Sequence, residues 1–350
     1  MRGEARVADY VEDLLRAHGI AASRQPVLPG RDNVLGRIEG APEAGAVLFE
    51  AHMDTVPAGA MERPFDPEVR DGRVYGRGSC DTKGSLAAML AALARAASGG
   101  PRATILLAAT VDEEHLFRGV QQLVASGVRA DVGVVGEPTG LAVVIAHRGA
   151  VRWRLRTSGR SAHSSRPEEG VNAIYAMAKV LGVLEDYGRR GIGPEHPLLP
   201  RPTLSVGRIA GGGAINVVPE ECEIWIDRRT LPGEEAAEVV GDVAREIAAR
   251  LGDSVRFEML PPELADFGME LPADHPSVQR VLRCVEAVRG EARTVGVGYG
   301  TDAGKLTRGG IPSVVLGPGD VAFAHSAQEH VEIDQLEQAA AIYERVMRGG

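Results

Sequence analysis

His52, Asp81, Glu114, Glu137 and His325 are the residues of this chain best suited to holding a metal ion, and each lies beside a strand end or a tight turn, none inside a helical stripe. Two imidazoles and three carboxylates without a thiolate form the ligand set of a hydrolytic metal site, because hard oxygens and imidazoles leave room for water where cysteines would close the shell. His52 and Asp54 form an H-x-D pair in HMDTVPAG, directly after an apolar run. Residues i and i+2 of an extended segment share a side, so Asp54 can accept the second ring N–H of His52 and fix which nitrogen faces a metal. A strand-end histidine bonded only to its neighbour is the plainer reading of that pair. Asp81 in YGRGSCDTKGS stands between a glycine turn and a helix start. As an N-cap it would satisfy orphan helix N–H groups; as a ligand its two oxygens could bridge two cations.

Glu113 and Glu114 follow the strand expected to end at Val111. On extended backbone neighbours point to opposite sides, so one could bind metal while the other faces substrate; a solvated acidic loop is the plainer alternative. Glu137 in VGEPTG also ends a strand, and Pro138 biases it away from helical backbone. His163 in SGRSAHSS reads, taken alone, as an exposed loop histidine, and His325 follows a glycine-proline turn in GPGDVAFAHSAQEH. No phosphate loop is present: in YGRGSCDTKGS Lys83 precedes Gly84 instead of following the second glycine. In GYGTDAGKL, Tyr299 takes the first glycine position and Leu306 replaces Ser or Thr.

These residues must be carried by a frame. Strand and helix signals alternate through the first 145 residues: strands at Ala46 to Ala51, Ala103 to Val111 and Asp131 to Val135, helices at Ser85 to Ala97 and Phe117 to Ser126. That is an α/β pattern, a mixed and mainly parallel sheet with helices on both faces, whose site lies at the carboxyl ends of the strands. The middle changes character. Val151 to Arg156 and Glu221 to Arg229 alternate apolar and charged, as half-exposed antiparallel strands do. With helices at Gly170 to Tyr187 and Glu234 to Leu251 and strands at Thr203 to Ile209 and Ser254 to Leu260, the segment reads as an inserted β-α-β-β-α-β module, ferredoxin-like. After Pro261-Pro262 the α/β pattern resumes, with helices Pro276 to Val288, Thr301 to Arg308 and Ile333 to Met347 and strands Thr294 to Val297 and Ile311 to Leu316. The expected division is 1–148 with 262–350 as the metal-binding domain, and 149–261 as the insert.

Composition bounds the function classes. At 350 residues two domains are the natural expectation, and 44% apolar with 25% charged residues is average globular usage. A formal charge of -9 without clustered Lys or Arg excludes a nucleic-acid footprint. The charged start MRGEARVADYVED lacks the apolar core of a secretory signal, and the longest apolar stretch, Leu86 to Ala97, is too short to span a bilayer. Cys80, Cys222 and Cys284 are odd in number and far apart, which suits reduced thiols in the cytoplasm.

In this order HMDTVP, YGRGSCDTKG, VDEE, GEPTG, SAHSS, INVVPEECEIWIDRRTLPG, GTDAG and GPG with a following AH resemble the M20 family of metallopeptidases and deacylases, in particular its acetylornithine deacetylase and succinyl-diaminopimelate desuccinylase group. The resemblance covers nearly the whole chain. It implies two Zn2+ per subunit, Co2+ or Mn2+ being tolerated by the same ligands: one ion held by His52 and Glu137, the other by Glu114 and His325, with Asp81 bridging. It further implies Glu113 as general base for a water that bridges the ions and becomes the attacking hydroxide, Asp54 as the partner of His52, and His163 as a transition-state donor. Asn216 and Arg229 become substrate contacts, Arg229 as a carboxylate clamp, and the insert becomes a lid and the interface of a homodimer.

Three departures stand out. The chain starts at what looks like the family's second segment, GEARVADYVEDLLRAHG, so the first helix is missing or the start truncated. Gly304 stands where desuccinylases commonly carry Arg, which weakens the case for a second substrate carboxylate. Asp81 precedes Thr82, a non-proline residue, at a bond the family often holds cis. The implied activity is removal of an acyl group from a small N-acyl amino acid. A di- or tripeptidase, a carboxypeptidase and a desuccinylase of the same family are the enzymatic alternatives, and a catalytically silent dimeric binding protein is the alternative of another class.

Overall fold

A computed structural model describes residues 4–349; Met1 to Gly3, part of the charged start, and Gly350 lie outside the described residues. The chain divides into two compact units. One runs through Ile145 and takes in Glu270–Gly296 and the chain from Thr301 onward; the other comprises Ala146–Met269 and Val297–Gly300.

The first unit is built on the expected mixed sheet. Its centre is four mutually parallel strands in the order Thr104–Thr110, Ala46–His52, Val132–Val135 and Ser313–Val315. All four are short, nearly continuous apolar runs, as strands covered on both faces must be. Phe49 lies opposite Leu107, and Leu107 opposite Gly36, so these three share a face. That face receives Leu15 of the helix Ala5–Ala17 over Gly36, and Tyr343 of the helix Ile333–Arg348 edge-on to Phe49 at 5.6 Å. The helix Gly84–Ser98 packs against Ile333–Arg348 on the same side, and Arg118–Ala125 with Ala303–Arg308 lie on the other.

Sequence reading missed the hairpin Ala21–Leu28/Arg31–Ile38, which joins the sheet antiparallel to Thr104–Thr110. Its outer strand is half-exposed and contains Pro26, so it has no apolar run to announce it. Also missed were Val143–His147, antiparallel to Ser313–Val315, and a small sheet of Glu68–Arg70, Arg73–Tyr75 and His330–Glu332.

In the second unit the strand order is Thr203–Gly211, Glu221–Thr230, Gly149–Ser158 and Arg256–Met259, antiparallel throughout, the order of a ferredoxin-like sheet. The alternation is explained by register. Trp153 opposes Ile226 and Leu155 opposes Ile224 on the inner face, where they pack with Met177, Val180, Val243 and Ile247. Arg152 opposes Asp227 and Arg156 opposes Glu223 on the outer face, paired at 2.7 and 2.6 Å. The first helix of this unit is Ala173–Arg189 and not from Gly170, because Asn172 caps it, accepting from the N–H groups of Ile174 (2.9 Å) and Tyr175 (3.2 Å).

Candidate metal centre

Parallel register brings His52, Glu113, Glu114 and Glu137 toward one end of the sheet. His52 is the last residue of its strand and lies opposite Thr110, while Glu50 lies opposite Val135, so three strands end at one edge of the sheet. The chain leaving each end delivers Glu113 and Glu114 from one strand and Glu137 from the next. Gly317 allows the closest approach there, since a Cβ at that position would collide with the carbonyl of Glu137 and the hydroxyl of Ser85.

Asp81 sits at the middle. Its Oδ1 lies 3.0 Å from His52 Nε2 and its Oδ2 3.0 Å from His325 Nε2, so each oxygen faces one imidazole. Glu137 Oε1 is 3.8 Å from the same nitrogen of His52, and Glu114 Oε1 is 3.2 Å from that of His325. The donor atoms of His52, Asp81 and Glu114 all lie within 4.8 Å of one another. Asp81 is not a helix cap: Lys83 is the residue that precedes the helix Gly84–Ser98, with no side-chain cap, and the peptide bond between Asp81 and Thr82 is cis.

His52 Nδ1 faces the Asp54 carbonyl oxygen at 3.2 Å and its carboxylate at 3.4 Å, which leaves Nε2 toward the cluster. His52 Nδ1 thus lies against both the carbonyl and the carboxylate of Asp54. The Asp54 carboxylate also accepts the backbone N–H of Glu113 (3.2 Å) and Glu114 (3.1 Å). The expectation of an extended pair at Glu113 and Glu114 is corrected. Asp112 turns the chain at φ 69, and the two acids stand on a turn whose N–H groups are held by Asp54. They still diverge: Glu113 Oε2 comes to 4.0 Å of His52 Nε2, while Glu114 goes to His325.

The electrostatics describe a site short of positive charge. Burial, with Asp81 adding to it, holds Glu137 well above the ordinary carboxylate range, and burial does the same to Glu113. Burial opposes charge on Asp81 too, yet hydrogen bonds from His325 and His52 keep it ionised far down the pH scale. His325 is pushed up to about 10 by its hydrogen bonds to Asp81 and Glu114. Burial opposes charge on His52 as well, but Asp54 and Asp81 raise it. Four acids around two imidazoles, with nitrogen and oxygen donors converging, suit a divalent cation. The Cys80 thiol is turned away, 3.4 Å from the Asp320 carbonyl, so no thiolate closes the shell.

Sequence reading missed what lies behind these residues. Glu50 and Asp302 are buried acids joined through Thr110, whose hydroxyl donates to Glu50 at 2.6 Å and lies 3.5 Å from Asp302. Burial pushes Asp302 up to about 6 and Glu50 well above its ordinary value. The signal for Glu50 was legible: an acid inside the apolar run AVLFEA. His163, Asn216 and Arg229 lie in the second unit. His163 is exposed in a two-residue strand paired with Val217–Val218, with Nδ1 2.7 Å from the Ser165 hydroxyl. Asn216 is exposed in the adjoining turn, and Arg229 donates to Asp227 at 2.8 Å. Gly304 is buried in the helix Ala303–Arg308.

The model of peptidase family M20/M25/M40 matches residues 48–349. An acetylornithine deacetylase of Edwardsiella ictaluri (strain 93-146) is 34% identical over 340 residues, 94% of this chain and 85% of that protein. Among solved structures, aminopeptidase PepT from Bacillus cereus ATCC 10987 superposes with a TM-score of 0.82 at 21% identity, covering 99% of this chain and 93% of that one. A tripeptidase from Staphylococcus aureus subsp. aureus Mu50 gives 0.79 at 24% identity, covering 98% and 91%. At those identities the likeness speaks for the fold, while the family match and the deacetylase relative speak for the chemistry: the chain belongs to peptidase family M20/M25/M40 and is a hydrolase of amide bonds.

Proposed function

We propose that the chain is a zinc-dependent, cytoplasmic N-acyl amino-acid deacylase, similar in activity to acetylornithine deacetylase, working through a pair of cations in the cluster around Asp81. The observation that supports it most is the division of that cluster into two halves, His52 with Glu137 and His325 with Glu114, each facing one oxygen of Asp81. The likeness to a deacetylase, and a glycine at position 304 where desuccinylases commonly carry Arg, favour an acyl group without its own carboxylate.

Bound by these residues, the cations would polarise the acyl carbonyl and bring the ionisation of water near neutral pH. The chain supplies the rest. Asp54 holds His52 by Nδ1, so that Nε2 is the nitrogen offered. Glu113 takes a proton from water and returns it to the leaving amine, a cycle suited by a carboxyl that burial holds above its ordinary value. His163 is assigned to the developing oxyanion, Asn216 to the substrate and Arg229 to its carboxylate, all on the resemblance of their motifs. The second unit is assigned the lid and the dimer interface. Exposed Tyr175, Ile209 and Ile215, together with Thr203–Gly211 as the outermost strand of its sheet, support the latter.

The test is release of ornithine from N-acetylornithine beside a panel of di- and tripeptides. Preferred turnover of the N-acyl amino acid is expected. Preferred turnover of peptides would make the chain a peptidase of the same family. Glu113→Gln should lower kcat about 10²- to 10⁴-fold with cation content unchanged, and undiminished turnover would remove Glu113 from its role.

A further inference from the structure

Arg77 and Glu329 form an ion pair that the reaction does not use. Both side chains are almost wholly buried, 2% and 0% exposed, and a buried carboxylate persists only when its oxygens are satisfied. Here they are. Glu329 Oε2 accepts from Arg77 Nη1, and Oε1 accepts three backbone N–H groups, those of Gly78 (2.9 Å), Cys80 (3.1 Å) and Asp81 (3.1 Å). The Glu329 carbonyl accepts a fourth, from Gly76 (3.2 Å). The turn that presents Asp81, with Gly78 at φ 84, is thus wrapped around one side chain. The other nitrogen of the fork points elsewhere: Arg77 Nη2 donates to the carbonyls of Ala58 (3.2 Å) and His325 (3.4 Å). His325 has φ 62, a left-handed conformation that a non-glycine residue holds only when its surroundings impose it.

We propose that Arg77 and Glu329 are positioning residues for the cation pair, Glu329 fixing the backbone of Asp81 and Arg77 that of His325, so that two ligands more than 200 residues apart are set by one buried ion pair. The physical reason is the donor set. The two halves of the site share Asp81, so an error of a few tenths of an ångström in its backbone is felt by both. A planar guanidinium can span Glu329, Ala58 and His325 together, and an ammonium cannot. The inference rests on the proposed metal site.

The experiment is competition for zinc between the full-length protein, stripped of cations, and a chromogenic chelator, with the thermal midpoint of each metal-free variant recorded beside it. Glu329→Gln keeps size but loses the charge and should weaken zinc binding about 10- to 100-fold, with KM for substrate at saturating zinc within about twofold of wild type. Arg77→Lys should weaken it less. Val346→Ala, which opens a cavity on the buried face of the C-terminal helix Ile333–Arg348, should lower the midpoint and leave zinc binding intact. Equal loss of zinc affinity in Val346→Ala would reduce the effect to general stability and overturn the proposal, as would unchanged affinity in Glu329→Gln. Should Glu329→Gln not fold, Arg77→Lys decides by the same criterion. Wild type that binds no zinc contradicts the proposed function and takes this inference with it; wild type that binds zinc while the variants bind as tightly contradicts this inference alone.

Discussion

Asp81 shows how much of the site is a matter of single atoms. Its residue type and neighbourhood were legible in the sequence, but capping and bridging were both open there. In the structure Asp81 does not cap the helix Gly84–Ser98, and an imidazole lies 3.0 Å from each of its oxygens. Glu329 was not legible, because its partners are backbone N–H groups and an arginine about 250 residues away, which no local pattern encodes. The charge pattern makes a prediction with a definite sign. In the proposed site a cation would need the bare nitrogen of His325, whose pKa its hydrogen bonds to Asp81 and Glu114 push up to about 10. Lowering the pH from 8 to 6 should therefore weaken zinc binding by about tenfold per unit for each proton displaced, read by chelator competition; affinity independent of pH would exclude His325 as a ligand. In the metal-free protein the sign reverses for stability. A histidine raised from 6.5 to about 10 contributes fully below its ordinary value and loses that contribution as pH rises toward 10. The thermal midpoint should fall across that interval, and His325→Ala should flatten this component of the slope.

At the scale of elements, apolar runs and alternation carried most of the reading. Runs such as AVLFEA and ATILLAATV located the central strands to within a residue or two, and the charged partners of Val151 to Arg156 turned out to be Asp227 and Glu223 across the strand pair. What failed were places where tertiary contacts override local pattern. Glu113 and Glu114 left extended backbone because Asp54 gathers their N–H groups, and the hairpin at Ala21–Leu28 was hidden by its exposure. Caps were under-read as well. Asn172 accepts two N–H groups at the start of Ala173–Arg189, so Asn172→Ala should cost about 1 kcal/mol, measured by urea unfolding, with cation binding unchanged. A loss within error of zero would mean that the cap contributes nothing beyond water.

For the whole molecule, the described residues contain no helix long and apolar enough to cross a membrane, and the two units each have a compact core of their own. The proposed dimer makes a claim about the second unit only. Ile209 is 52% and Tyr175 71% exposed beside an unpaired strand edge, so Ile209→Asp should shift the protein toward monomer in sedimentation, and an unmoved dimer would place the interface elsewhere. The central claim is the shared site. Titrating the cation-free protein with zinc and counting bound ions by native mass spectrometry tests it most directly. Wild type should take up a pair of ions per chain and Asp81→Asn should not retain the second; wild type that takes up none, or Asp81→Asn that holds both as tightly, would contradict the account.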